Sequence, residues 1–121
     1  MDGVQKIEKT YAQQFEENNY VLVKNFITKD MTNYLYDYSL LKSEAIKTMI
    51  LQGFLPFDNF QGTFHNAEVP GSFNMYGDFA METLLNNSTK KMEELTGLKL
   101  CPTYSFQRIY RQGQKLDRHK D

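Results

Sequence analysis

Apolar residues near the start of the chain recur at three- and four-residue spacing. Val4, Ile7, Tyr11 and Phe15 fall on one stripe, with Lys6, Glu8, Lys9, Gln13, Glu16 and Glu17 off it. That pattern predicts an amphipathic helix over residues 3–18, ended by Asn18-Asn19. Tyr20-Val21-Leu22-Val23 reads as a short β run. Thr28 then has the chemistry of an N-cap, with Asp30 in the first turn against the helix dipole. A second helix is expected from there to about Gln52, with Met31, Leu35, Tyr38, Leu41, Ala45 and Met49 along one side. Glu44 with Lys42 or Lys47 gives ordinary helical charge pairing.

The period is then lost. Gly53, Pro56, Asp58-Asn59, Gly62, Asn66 and Pro70-Gly71 punctuate residues 53–76, and Pro-Gly suits the centre of a type II turn. Helical spacing returns over residues 78–96 through Phe79, Met81, Leu84, Leu85, Met92 and Leu95, with Gly97 where a C′ glycine belongs. Asn86-Asn87-Ser88 weakens propensity in the middle of that helix. Leu98 to Tyr110 reads as a long strand whose Pro102 end is an edge or a bulge. Gln112-Gly113 marks a hairpin turn, and a second strand runs on to Asp121. The order, helices before strands, is that of an α+β chain.

Length allows one domain at most: 121 residues and 14.2 kDa. Hydrophobic residues are 40% and charged residues 24%, which excludes a disordered or membranous composition. No apolar run approaches the roughly 20 residues that span a bilayer, and Met1 to Lys9 holds no secretory h-region. The single cysteine, Cys101, leaves no internal disulfide and reads as a small core residue. A cytoplasmic protein is expected, with no membrane partner. A net charge of −1 gives no reason to expect nucleic acid.

The C-terminal stretch holds the candidate chemistry. In a strand, residues i and i+2 share a face, about 6.6 Å apart. His119 and Asp121 can therefore converge on one ion while Lys120 points away. An imidazole and a carboxylate, joined by a second imidazole, form the facial triad of non-haem Fe(II) sites. Alone, the tripeptide reads more readily as an exposed His and Asp. Arg108 shares strand parity with Tyr110 and is the basic residue that faces the same side. Arg108, Arg111, Lys115, Arg118 and Lys120 could attract an anion, or simply protect an exposed strand edge. His65, near Asp58 and Glu68, has irregular spacing for a metal site and reads as a solvated loop histidine. The loop over residues 53–76 reads as a lid over a cleft or as a set of aromatic anchors, among them Phe54, Phe57, Phe60, Phe64 and Phe73.

The segment Y-S-F-Q-R-I-Y-R-Q-G-Q-K-L-D-R-H-K-D resembles the first core strands of the Fe(II)- and 2-oxoglutarate-dependent dioxygenases. It is most similar to the prolyl-4-hydroxylase-like branch, in which a strand, a Tyr, a Gly-containing turn and H-x-D follow in that order. V-P-G-S-F-N-M-Y-G-D and M-E-E-L-T-G-L-K-L extend the likeness to small bacterial and phage-borne members. The resemblance is close over residues 98–121 and loose over the rest. It implies His119 and Asp121 as the first two iron ligands and Tyr110 as a wall of the cosubstrate pocket. Tyr110 reads equally well as a strand tyrosine with its ring in the core. The family's second histidine and its carboxylate-binding basic residue belong to later strands.

The implied fold is therefore N-terminal helices (within residues 1–97) packed on the first strands (98–121) of a double-stranded β-helix, or jelly roll, whose remainder lies past Asp121. The implied cofactors are Fe(II) and 2-oxoglutarate, with ascorbate as an accessory reductant. The implied activity is hydroxylation of a C–H bond of a protein, peptide or small molecule by dioxygen, with 2-oxoglutarate converted to succinate and CO₂. With two ligands only, the chain itself is expected to be inactive, and its exposed sheet edge is expected to invite association. The competing readings are a non-catalytic interaction or structural domain with an incidental His-x-Asp and, last, a nucleic-acid binder using the basic hairpin.

Overall fold

The computed structural model describes residues 8–120. Helix α1 spans Tyr11–Asn18, α2 Lys29–Leu51 and α3 Phe79–Thr96; strand β1 spans Phe73–Tyr76 and β2 Phe106–Ile109. Among the described residues the architecture is mixed helix and strand, as expected of an α+β chain.

Short-range chemistry accounts for the helix ends. Thr10 caps α1 by accepting from the Gln13 amide, while the Gln13 side chain accepts from the Thr10 amide, a reciprocal capping box. Asn19 closes α1 in the left-handed region. The expected helix over 3–18 is thus realised from Tyr11 on, and Val4 and Ile7 lie outside the described residues. Thr28 caps α2 by accepting from the Met31 amide, with Asp30 in the first turn, as its sequence predicts. Gly97 closes α3 with its amide donating to the Glu93 carbonyl. Helix α3 continues without a break through Asn86-Asn87-Ser88.

The sheet departs from expectation. Tyr20–Val23 forms no strand, and of Leu98–Tyr110 only Phe106–Ile109 is strand. No second strand follows Gly113 among the described residues. The turn at Gln112-Gly113 does form, with the Gln114 amide donating to the Arg111 carbonyl at 3.0 Å, but it opens into irregular chain instead of closing a hairpin. β2 pairs antiparallel with β1, in register Phe73↔Ile109, Asn74↔Arg108, Met75↔Gln107 and Tyr76↔Phe106. A bridge from Asn74 to Thr63 covers the far side of β1. β1 lies inside the stretch that periodicity leaves as loop, because its four residues alternate Phe and Met with a buried Asn.

One sheet face carries Phe73, Met75 and Ile109 and meets Ile46 and Ile50 of α2, together with Leu55 and Phe64. The buried side of α2 is a correction to the sequence pattern. Ser39, Ser43 and Ile46 are buried, while Met31, Leu41 and Met49 are exposed and Ala45 is also outward. Each serine hydroxyl donates to a carbonyl of its own helix, and Ser39 Oγ also accepts from Gln107 of β2. Helix α1 packs against α3. Cys101 is exposed, not a core residue, because the chain before β2 does not enter the sheet.

Candidate functional site

Strand alternation puts Asn74, Tyr76, Phe106 and Arg108 on the sheet face opposite the core, and Tyr110 continues that parity just past β2. Arg108 is the hub. Its Nε donates to Asn74 Oδ1 at 2.7 Å, Nη1 to Tyr110 Oη at 3.2 Å, and Nη2 to Asn66 Oδ1 and Glu68 Oε2, each at 3.2 Å. The side chain is only 7% exposed. Its guanidinium lies over the Phe106 and Tyr110 rings, 5.1 and 5.7 Å from their centroids. The Tyr110 contact, and after it Glu68, hold the guanidinium still more firmly cationic, against the effect of burial. Tyr76 packs on Phe106 at 4.7 Å between centroids and on Tyr104 at 6.1 Å, which extends an exposed aromatic face from this hub. The parity expectation for Arg108 and Tyr110 thus holds: the two side chains meet.

β2 also borders a cleft of about 350 Å3, lined by Arg108 and Tyr110 as well as Gln107 and Ile109, with Leu35, Tyr36 and Met81 facing them. Gln107 closes it toward α2 by donating to Ser39 Oγ at 2.6 Å. The Gln107 amide oxygen is buried without a hydrogen-bond partner among the described residues.

Beyond the turn, Gln114 ties the chain back. Its Oε1 accepts from the Arg111 amide at 2.8 Å and its Nε2 donates to the Pro70 carbonyl at 3.3 Å. His119 is exposed, and its Nδ1 lies 2.9 Å from the Asp117 carbonyl oxygen. A carbonyl can only accept, so Nδ1 carries a proton and donates in that contact. Asp121 lies outside the described residues.

The loop histidine goes elsewhere. His65 Nδ1 is 3.5 Å from Asp58 Oδ1 at an exposed position, while Glu68 turns to Arg108, so the three do not converge. No group of three His, Cys, Asp or Glu among the described residues is arranged to hold a metal. Phe64 and Phe73 are anchors, stacked at 5.0 Å, whereas Phe54, Phe57 and Phe60 are exposed. Of the other basic residues, Arg111 pairs with Glu44 and Lys115 with Asp117, both at the surface.

A second polar centre has no signature in the sequence. Asp78 caps α3, its Oδ2 accepting from the Ala80 and Met81 amides at 3.1 and 3.2 Å. Its Oδ1 accepts from Tyr38 Oη at 2.5 Å and from Lys42 Nζ. Burial alone pushes the carboxyl up, but donation from Lys42, Tyr38 and the Met81 amide outweighs it and holds Asp78 below the usual carboxylate range. Burial first, then donation to Asp78, pushes the Tyr38 phenol up to about 12. The partners are separated by 36 and 40 positions along the chain, a distance no local pattern spans. The cluster bolts α2 to the start of α3.

No family model, curated protein or solved structure matches the chain.

Proposed function

We propose that the chain carries two iron ligands and part of the cosubstrate wall of an Fe(II)- and 2-oxoglutarate-dependent oxygenase of the prolyl-4-hydroxylase-like kind. The observation that carries the reading is the order of groups along one segment. Arg108 and Tyr110 touch on one side of β2, a Gly113 turn follows, and His119-Lys120-Asp121 comes next. The Nδ1 contact of His119 supports the reading, because a ligating imidazole commonly donates one ring N–H to a carbonyl or carboxylate. His119 and Asp121 would hold the ion on one side, with a third ligand contributed from elsewhere.

Iron and 2-oxoglutarate, when bound, supply C–H hydroxylation coupled to decarboxylation of the cosubstrate. The residues of this chain bind and orient. The Tyr110 hydroxyl and Arg108 Nη1 form a donor pair for an anionic cosubstrate, and Tyr76, Tyr104 and Phe106 give an apolar wall that excludes water. Glu68 occupies Nη2 at the outer edge of Arg108, beside that donor pair. The jelly-roll surroundings belong to the same proposal.

A titration with Co(II), a visible-spectrum substitute for Fe(II), tests this. Absorption bands that depend on His119 and shift with 2-oxoglutarate are expected, and His119→Ala should abolish them. On this reading the third ligand is a further histidine, and the group that anchors the cosubstrate a further Arg or Lys, neither of them among residues 98–121. A chain including them should release succinate. Cobalt binding indifferent to His119→Ala would refute the ligand assignment. One observation favours the second reading, a non-catalytic interaction domain: the Arg108 donors are engaged by acceptors of the chain itself. The same titration separates the two.

A further inference from the structure

We propose a second binding site, for a small apolar carboxylate, in the cleft between the C-terminal half of α2 and the loop over residues 53–72. The cleft has a volume of about 390 Å3, within the range of small-molecule sites of roughly 300–1,000 Å3. It shares no residue with the iron and cosubstrate proposal. Ile50 and Phe64 form its floor, both packed on the core beneath. Leu51 and Phe57 form its walls and are 77% and 54% exposed. Large apolar side chains this open to water gain from any apolar body that covers them.

The rim gives the ligand its sign. Lys47 and Arg111 both line the mouth. Arg111 is joined to Glu44 by a surface contact of 3.1 Å, and Lys47 has no ion-pair partner among the described residues. Of the two cations lining the cleft, only Arg111 has an ion-pair partner among the described residues, so the ammonium of Lys47 is left to meet an anion beside the apolar floor. A cationic ligand is repelled there, and a neutral one leaves Lys47 unmatched. A polyanion needs a row of cations, and the cleft offers two. An alkyl or arylalkyl chain ending in a single carboxylate matches both features, with its tail on Ile50 and Phe64 and its head at Lys47 and Arg111.

The test uses the whole chain, isotopically labelled, with decanoate and decanol as probes followed by amide chemical shifts. Decanoate should shift amides of residues 47–64 and bind about tenfold more tightly than decanol, the effect of a charge-assisted contact partly open to water. The double variant Lys47→Gln/Arg111→Gln should bring decanoate down to the affinity of decanol. Leu51→Asp, at an exposed position that the fold does not need, should weaken both probes. Equal affinity for acid and alcohol in the unmodified chain, shifts clustered elsewhere, or no binding of either probe would overturn the proposal. Because Co(II) binding is read separately on His119, failure here leaves the oxygenase reading untouched.

Discussion

Replacing Asp78 with alanine removes, in one step, the cap of α3 and the anion that joins it to α2. Loss of the cap, which serves the Ala80 and Met81 amides, costs about 1 kcal/mol. Loss of the ion-pair partner costs more. Lys42 is 17% exposed and the Asp78 side chain 2%, so the ammonium is left largely buried and uncompensated. Breaking a buried pair costs roughly 3–5 kcal/mol, and the limited access of Lys42 to water sets the lower end of that range. The sum is about 4 kcal/mol, a large share of the roughly 5–15 kcal/mol that stabilises a typical domain. Urea unfolding followed by far-ultraviolet circular dichroism measures it, with equal m-values required for the comparison. Asp78→Asn keeps a cap acceptor and loses the charge, so it should cost about 3 kcal/mol by the same ion-pair reasoning. Adding Lys42→Met to Asp78→Ala removes the orphaned cation and should restore part of the loss. A loss of about 1 kcal/mol or less for Asp78→Ala would mean that only the cap matters, and the buried-pair reasoning would be wrong.

The same cluster predicts the pH response. The Asp78 carboxyl is held below its ordinary value of 3.8, so the folded state binds fewer protons than the unfolded state in that region. Its contribution is complete above 3.8 and is lost as the pH falls through the lower folded value; acid titration of the unfolding free energy should show this loss and Asp78→Asn should remove it. Tyr38 has the opposite sign: the folded state keeps a proton that the unfolded state gives up between 10.0 and about 12, so stability should fall across that window and Tyr38→Phe should flatten the fall. At Gly62 an added Cβ would lie 2.3 Å from Phe73 Cζ, and that ring is fully buried against Phe64. Gly62→Ala should therefore cost roughly 1–3 kcal/mol in urea unfolding, as overpacking does. Arg108→Gln should cost about 1–3 kcal/mol because it strands the buried Asn74 oxygen, whereas Glu68→Gln, at a partner 59% exposed, should cost about 1 kcal/mol or less in the same assay.

Elements whose ends are written in local chemistry were legible in the sequence. Thr28 and Asp30 start α2 and Gly97 stops α3, each through contacts a few residues away. What required tertiary structure was not legible. The predicted stripe of α2 follows its large apolar residues, yet the buried side carries Ser39 and Ser43, whose hydroxyls are satisfied by their own helix and, at Ser39, by Gln107 across 68 positions. β1 was hidden because Asn74, a poor strand former, is buried there as the acceptor for Arg108. The hairpin expectation placed the right turn before the wrong partner: Gly113 turns the chain, but β2 finds its mate 33 residues before itself at Phe73–Tyr76, where Phe73 and Met75 can join Ile46 in the core.

The candidate site divides along the same line. Arg108 with Tyr110 was legible because a strand enforces parity over two residues, and the link from Arg108 to Asn66 and Glu68 was not, because it joins positions 42 and 40 residues apart. That hidden link shapes the chemistry. An arginine with every donor in water would meet an anionic cosubstrate by electrostatics alone. Here Asn74 and Asn66 fix the guanidinium plane, and Glu68 meets it from the solvent side. On the proposed oxygenase reading, the same contacts that argue for a structural arginine would hold it ready for an anion, with the exposed Glu68 carboxylate as the group most easily displaced.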